Sequence, residues 1–245
     1  MLQRLDRSRH SSLATTLPRP TVIFACSGVL VDGENIAAEV AAAEFTSAGF
    51  PISPRDFSRS FSGWPLKDVC ENCEATTGRS LPPNLPKYIL DGISRRFRRE
   101  LQPMPHIAHA FRWLRRRRCI YSFWPAELIR LSLDASGLRH LFDEAGLISA
   151  ENSRYGKSFH DLLLHTAVQI GVAPSKCVVV EHSAAGVAAA VAVGMTAVGF
   201  VGGTHANMNL SEQLMKAGAA ATVADMRLLR RTLDRIQGDY VANGI

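Results

Sequence analysis

The chain has 245 residues, 47% hydrophobic and 20% charged, with 28 Lys and Arg against 22 Asp and Glu for a net charge of +6. That suits one medium α/β domain, or one domain with a smaller insert, whose core needs no covalent staples. No run approaches the roughly 18–20 apolar residues of a membrane span, residues 1–20 lack the apolar segment of a secretory leader, and five cysteines without framework spacing point to a reducing cytoplasm.

In chain order, residues 1–19 are polar and read as a flexible tail, with only a faint likeness to a transit peptide. Val22, Ile23 and Phe24 then form a short apolar run, followed by the glycine-containing loop Ala25-Cys26-Ser27-Gly28. This is the pattern of a buried strand ending in a turn. Residues 35–104 show helical periodicity uninterrupted by any strand pattern. Helices are expected over 35–49, 66–77 and 85–101, with Pro51 and Pro54 as breakers. Beyond them the chain alternates. Helices are expected over 107–116, 125–136, 159–170, 184–193 and 226–236. Strands are expected over 119–121, 178–180, 196–201 and 221–223. Repeated strand–helix units predict an α/β fold, a doubly wound parallel sheet with helices on both faces. Ligands of such folds sit at the carboxyl ends of the strands, so the loops after Phe24, Tyr121 and Val180 converge on one site.

The basic excess lies in short arginine clusters, Arg95, Arg96, Arg98 and Arg99, then Arg112 and Arg115 to Arg118, with Phe97 and Trp113 among them. A nucleic-acid face interleaves basic and aromatic residues. The helical period already accounts for the aromatics as inward-facing, so these clusters are read as solvated helix faces and a nucleic-acid partner is not expected.

The segment Phe24-Ala25-Cys26-Ser27-Gly28-Val29-Leu30-Val31-Asp32-Gly33-Glu34 resembles the first motif of the haloacid dehalogenase superfamily. It looks most like the branch of phosphoglycolate phosphatases and β-phosphoglucomutases, where the motif reads Asp-x-Asp-Gly-(Val/Thr)-Leu-x-Asp-Ser-Glu. Ser122 looks like the second motif and Lys157 like the third. Glu181-His182-Ser183-Ala184-Ala185-Gly186 looks like the fourth, where relatives read Glu-Asp-Ser-x-x-Gly. Gly199 to Gly203 with His205, and Ala217 to Ala219, match the branch's later pattern. The resemblance implies a tail over 1–19, a Rossmann-like core over 20–34 and 105–245, and a helical cap over 35–104.

In that family the first aspartate attacks phosphorus, and the one two residues later protonates the leaving oxygen. Here these positions are Ala25 and Ser27. Alanine offers no nucleophile, and a serine hydroxyl, with its pKa far above neutrality, is a poor general acid. The family's magnesium bridges the nucleophile, a backbone carbonyl and a fourth-motif aspartate. Here that aspartate is replaced by His182, whose imidazole suits transition metals better than magnesium, leaving Glu181 and the Ser27 carbonyl. No second His or Cys is evident beside His182, so no zinc site is expected, and magnesium is expected only if the chain is active. The phosphate-holding types persist: Ser122 can donate a hydrogen bond, Lys157 can neutralise charge, and the amides of 26–28 can cradle an anion.

Neither Asp32 nor Cys26 is placed to replace the nucleophile, and Asp32 is expected to make loop hydrogen bonds. Cys70-Glu71-Asn72-Cys73 lacks the second pair of a metal site. Phe123 and Trp124 stand where relatives carry small polar residues and are expected to fill the former substrate space, or else to form a partner surface. His106 stands where relatives often have a turn glycine. The resemblance therefore implies a phosphatase-family protein, catalytically inactive or impaired, that retains binding of a small phosphorylated metabolite such as a phosphosugar. The alternatives are an active magnesium-dependent phosphatase or phosphomutase of sugar phosphates, and a binding module that uses the Arg-rich cap for an acidic partner.

Overall fold

The computed structural model describes residues 20–114, 116–152 and 158–242, with the backbone alone at 152 and 239–242. The tail expected over residues 1–19, and Lys157, lie outside the described residues. The strands are β1 (Thr21–Ala25), β2 (Arg118–Ser122), β3 (Leu147–Ser149), β4 (Cys177–Glu181), β5 (Thr196–Phe200) and β6 (Ala221–Val223). They form one sheet in the order β3-β2-β1-β4-β5-β6, parallel at every pairing. A parallel sheet is covered on both faces, which is why its strands are short, apolar runs rather than alternating ones. Val178, Val179 and Val180 are all buried.

Strand order reverses between β1 and β4. That is the switch point where an α/β sheet opens a crevice at its carboxyl edge. The register pairs Ala25 with Tyr121 and Phe24 with Val180. Tyr121, Ala25 and Glu181 therefore stand level on three neighbouring strands and point to one face.

Between β1 and β2 run α1 (Glu34–Ser47), α2 (Pro54–Phe61), α3 (Leu66–Thr77) and α4 (Leu85–Glu100). The sheet is flanked by α5 (Ile107–Trp113), α6 (Ala126–Ala135), α7 (Phe159–Ile170), α8 (Ala184–Ala192), α9 (Leu210–Lys216) and α10 (Leu229–Ala242). The α2 helix departs from expectation, since Pro54 starts it rather than breaking it. A proline in the first turn gives up a backbone donor that would be unpaired there anyway, and the Ser53 hydroxyl caps the end by accepting from the Asp56 N–H at 3.1 Å. The short elements β3 and α9 were also not expected.

The arginine clusters are only partly solvated faces. Arg96 pairs with Glu39 and Glu100, each at 2.5 Å, while Phe97 beside it is buried, as expected. Trp113 instead is 47% exposed. It ends an α5 shorter than the period suggested. Arg116 is buried and reaches Asp234 on α10 at 2.7 Å, and the Arg118 guanidinium lies 5.0 Å from the centre of the Phe111 ring. His106, ahead of α5, has φ +64° and is the sole non-glycine residue at positive φ among the described residues. The turn there demands the conformation that glycine supplies without strain.

Candidate functional site

The chain leaves β1 through a tight turn in which the Gly28 N–H donates to the Val31 carbonyl and the Leu30 N–H to the Cys26 carbonyl, both at 2.9 Å. Gly28 has φ +74°, and a Cβ there would stand 2.4 Å from Cδ2 of His182. Only a bare backbone lets the imidazole lie against this turn. Cys26 faces inward with its sulfur 3.4 Å from the Ser132 hydroxyl. Burial pushes its thiol up to about 12, so it is no nucleophile at neutral pH.

At the end of β4, Glu181 is 2% exposed. Its Oε1 accepts from the backbone N–H of His182 and of Ser183, each at 2.8 Å. Its Oε2 accepts from the Tyr121 hydroxyl. Gly186 leaves room for this carboxylate at the start of α8, because a Cβ there would stand 2.6 Å from its Cδ. Burial, then the charge of Glu181, raises the Tyr121 phenol well above its ordinary pKa. The group stays protonated and donates. Because Tyr121 is on β2 and Glu181 on β4, their hydrogen bond spans the strand between them at the level of Ala25. Two strand spacings are about 9–10 Å, and the small Ala25 methyl leaves that path open.

His182 is 6% exposed. Its Nε2 is 3.7 Å from Glu34 Oε1 and 3.9 Å from Glu181 Oε1. Its ring centre is 4.8 Å from that of His205, edge to face. This corrects the expectation that no second histidine stands beside it. The His205 pKa is lowered to about 4, first by burial and then by His182, against the opposing pull of Glu34, Asp32 and Glu181. Among the described residues, Ser27 Oγ, His182 Nδ1 and both nitrogens of His205 are buried without a hydrogen-bond partner. Asp32 makes the loop bonds expected of it, accepting from the Thr204 N–H at 3.2 Å and the Thr204 hydroxyl at 2.9 Å. It thereby ties the first turn to the loop carrying His205.

Ala25, Ser27, Ser122, Glu181 and His182 all line one cavity of about 690 Å³ between the sheet edge and the inserted helices. Ser122 Oγ accepts from the Trp124 N–H at 3.0 Å, which leaves its own proton to donate. Phe123 and Trp124 do not fill this space as expected. They stand in its wall, packed on Phe159 and Phe97 with ring centres 4.8 and 5.2 Å apart.

The pattern that defines haloacid dehalogenase-like hydrolases matches residues 20–194. The chain belongs to the haloacid dehalogenase-like hydrolases. It is similar to the 6-phosphogluconate phosphatase of Escherichia coli (strain K12), 23% identical over 185 residues that make up 75% of this chain and 83% of the relative. A haloacid dehalogenase-like protein of unknown function from Agrobacterium tumefaciens is 30% identical with a TM-score of 0.76, and the match covers 89% of this chain and 99% of that one. A haloacid dehalogenase family hydrolase from Deinococcus radiodurans R1, solved with phosphate and sodium bound, is 25% identical with a TM-score of 0.67, over 89% and 96% of the two chains.

Family membership implies a magnesium ion, and the residues present do not fit one. Position 25 carries no oxygen donor, position 182 is an imidazole against the Gly28 turn, and both oxygens of Glu181 already accept hydrogen bonds from the protein. Among the described residues no three His, Cys, Asp or Glu side chains are grouped to hold a metal. Cys70 and Cys73 are free thiols on α3, and burial pushes Cys70 up to about 11. No helix among the described residues is long and apolar enough to cross a membrane.

Proposed function

We propose that this family member does not hydrolyse phosphate esters through an aspartyl intermediate and instead binds a small phosphorylated metabolite in the cavity. The observation that carries this reading is the buried Tyr121–Glu181 hydrogen bond crossing β1 at Ala25. Phosphoryl transfer needs an in-line nucleophile, neutralised phosphate oxygens and a proton for the leaving group. Ala25 supplies no nucleophile, Ser27 no acid of suitable strength, and Glu181 is committed to Tyr121 and to the backbone. What persists suits recognition. Ser122 presents a hydroxyl to the cavity, and Lys157, by its resemblance to the third motif, supplies the positive charge. The phosphate bound in the Deinococcus relative and the phosphorylated sugar acid named for the Escherichia coli relative support this ligand class. In this reading the helices over 35–104 serve as a cap on the core formed by 20–34 and 105–245. Five free cysteines suit a cytoplasmic setting.

The test is a phosphatase assay over sugar phosphates, with and without magnesium, beside the triple variant Ala25→Asp, Ser27→Asp, His182→Asp. No turnover is expected from the unmodified chain, and substantial magnesium-dependent turnover overturns the reading. Calorimetric titration with inorganic phosphate should show binding without magnesium, weakened by Lys157→Ala.

A further inference from the structure

The cavity has a polar floor and apolar walls. At the floor, the Ser122 hydroxyl keeps a free proton. Higher up, the lining is chiefly rings and alkyl groups: Phe61 from the end of α2, Trp64 from the turn between α2 and α3, Ile93 from α4, Phe123 and Trp124 from the turn after β2, and Phe159 from the first turn of α7. Several polar side chains of the lining are already engaged. Lys67 pairs with Glu71 at 3.4 Å, and Glu151 accepts from the Ala126 N–H at 3.3 Å.

The aromatic wall is built deliberately across the two parts of the chain. Gly63 has φ +79°, and a Cβ there would stand 3.0 Å from Ser183 Oγ and 3.1 Å from Phe159 Cζ. A bare backbone at 63 brings the turn before α3 down onto the core and sets Trp64 at the cavity. Ser58, Ser62 and Asp68 also line the cavity, but a polyhydroxylated body brings a hydroxyl on nearly every carbon, and those that face the rings lose their water without gaining a partner. A flat apolar body instead gains from area buried and from ring contacts. The volume of about 690 Å³ is that of a small-molecule site.

We infer that the phosphorylated ligand of this cavity carries a flat apolar body, an aryl-type phosphate monoester rather than a sugar phosphate. The inference rests on the reading of the cavity as a phosphate-binding site. Its chemistry differs from that of the sugar acid named for the Escherichia coli relative. The experiment is isothermal titration of the full chain with phenyl phosphate, glucose 6-phosphate, inorganic phosphate and phenol. Phenyl phosphate should bind about tenfold or more tightly than either glucose 6-phosphate or inorganic phosphate. Trp64→Ala, at a residue 44% exposed and expected to leave the melting curve in place, should remove most of that gain and spare the affinity for inorganic phosphate. Glucose 6-phosphate binding as tightly as phenyl phosphate overturns the apolar body and leaves the phosphate reading standing. Phenol binding as tightly as phenyl phosphate overturns the phosphate reading on which the inference rests. Binding of none of the four overturns both.

Discussion

At the floor of the cavity, Glu181 accepts three hydrogen bonds from the protein and His182 lies against the Gly28 turn with no room to spare. On the opposite side, Trp64 is 44% exposed and its turn meets the core at Gly63. A satisfied buried network is rigid, and breaking one of its members exposes the others to the full cost of an unpaired polar group. A half-exposed aromatic residue such as Trp64 can change with little effect on folding. The floor is therefore expected to carry stability and, on the proposed reading, the wall to carry selection.

Glu181→Ala should break this contrast most severely. It removes the acceptor shared by Tyr121 and two backbone amides, and should cost about 3 kcal/mol or more in urea unfolding. A loss well under 1 kcal/mol would mean that the floor is not where stability resides. Acid should act on the same region through His205. Its folded value, about 4, lies below the ordinary 6.5, so between those two pH values the unfolded chain binds more protons than the folded one. Stability is complete above pH 6.5, falls as pH drops towards 4 by up to about 3 kcal/mol, and changes no further from this group below that. His205→Gln should flatten that part of the curve, and an unaltered slope would assign it to other groups. Tyr121→Phe keeps the ring and removes one donor, leaving Glu181 Oε2 unpaired at about 1–3 kcal/mol by the same unfolding measurement. His106→Gly, away from both regions, should raise stability by about 1 kcal/mol by relieving its positive φ, and a loss there would show that the imidazole has a role of its own. Trp64→Ala should shift stability by less than about 0.5 kcal/mol. A larger loss would erase the distinction between wall and floor.

Much of the site was legible from the chain alone, for a physical reason. A parallel sheet delivers the ends of neighbouring strands to one edge, so Ala25, Ser27, Ser122, Glu181 and His182 had to meet there once the strands were recognised. Tyr121 was not legible as part of it. In a strand buried on both faces its identity reads simply as core, and its partner lies 60 residues away on a strand it does not pair with. His205 sits on a loop whose path is set by the Asp32–Thr204 contact, a tertiary bond without a local signal. Pro54 misled because a proline that ends one helix and a proline that begins the next look the same without the cap that distinguishes them. Trp113 and Arg116 exchanged their expected places because α5 stops at Trp113 and Arg116 finds Asp234 on a helix far along the chain.

The Tyr121–Glu181 bond also bears on descent. Placing an aspartate at 25 first sets a second carboxylate beside the buried Glu181, and two like charges in one site oppose each other. Removing Tyr121 first takes away the donor that Glu181 Oε2 holds. On the proposed reading, each single step towards hydrolysis therefore passes through a less stable protein, so selection for folding alone works against that chemistry.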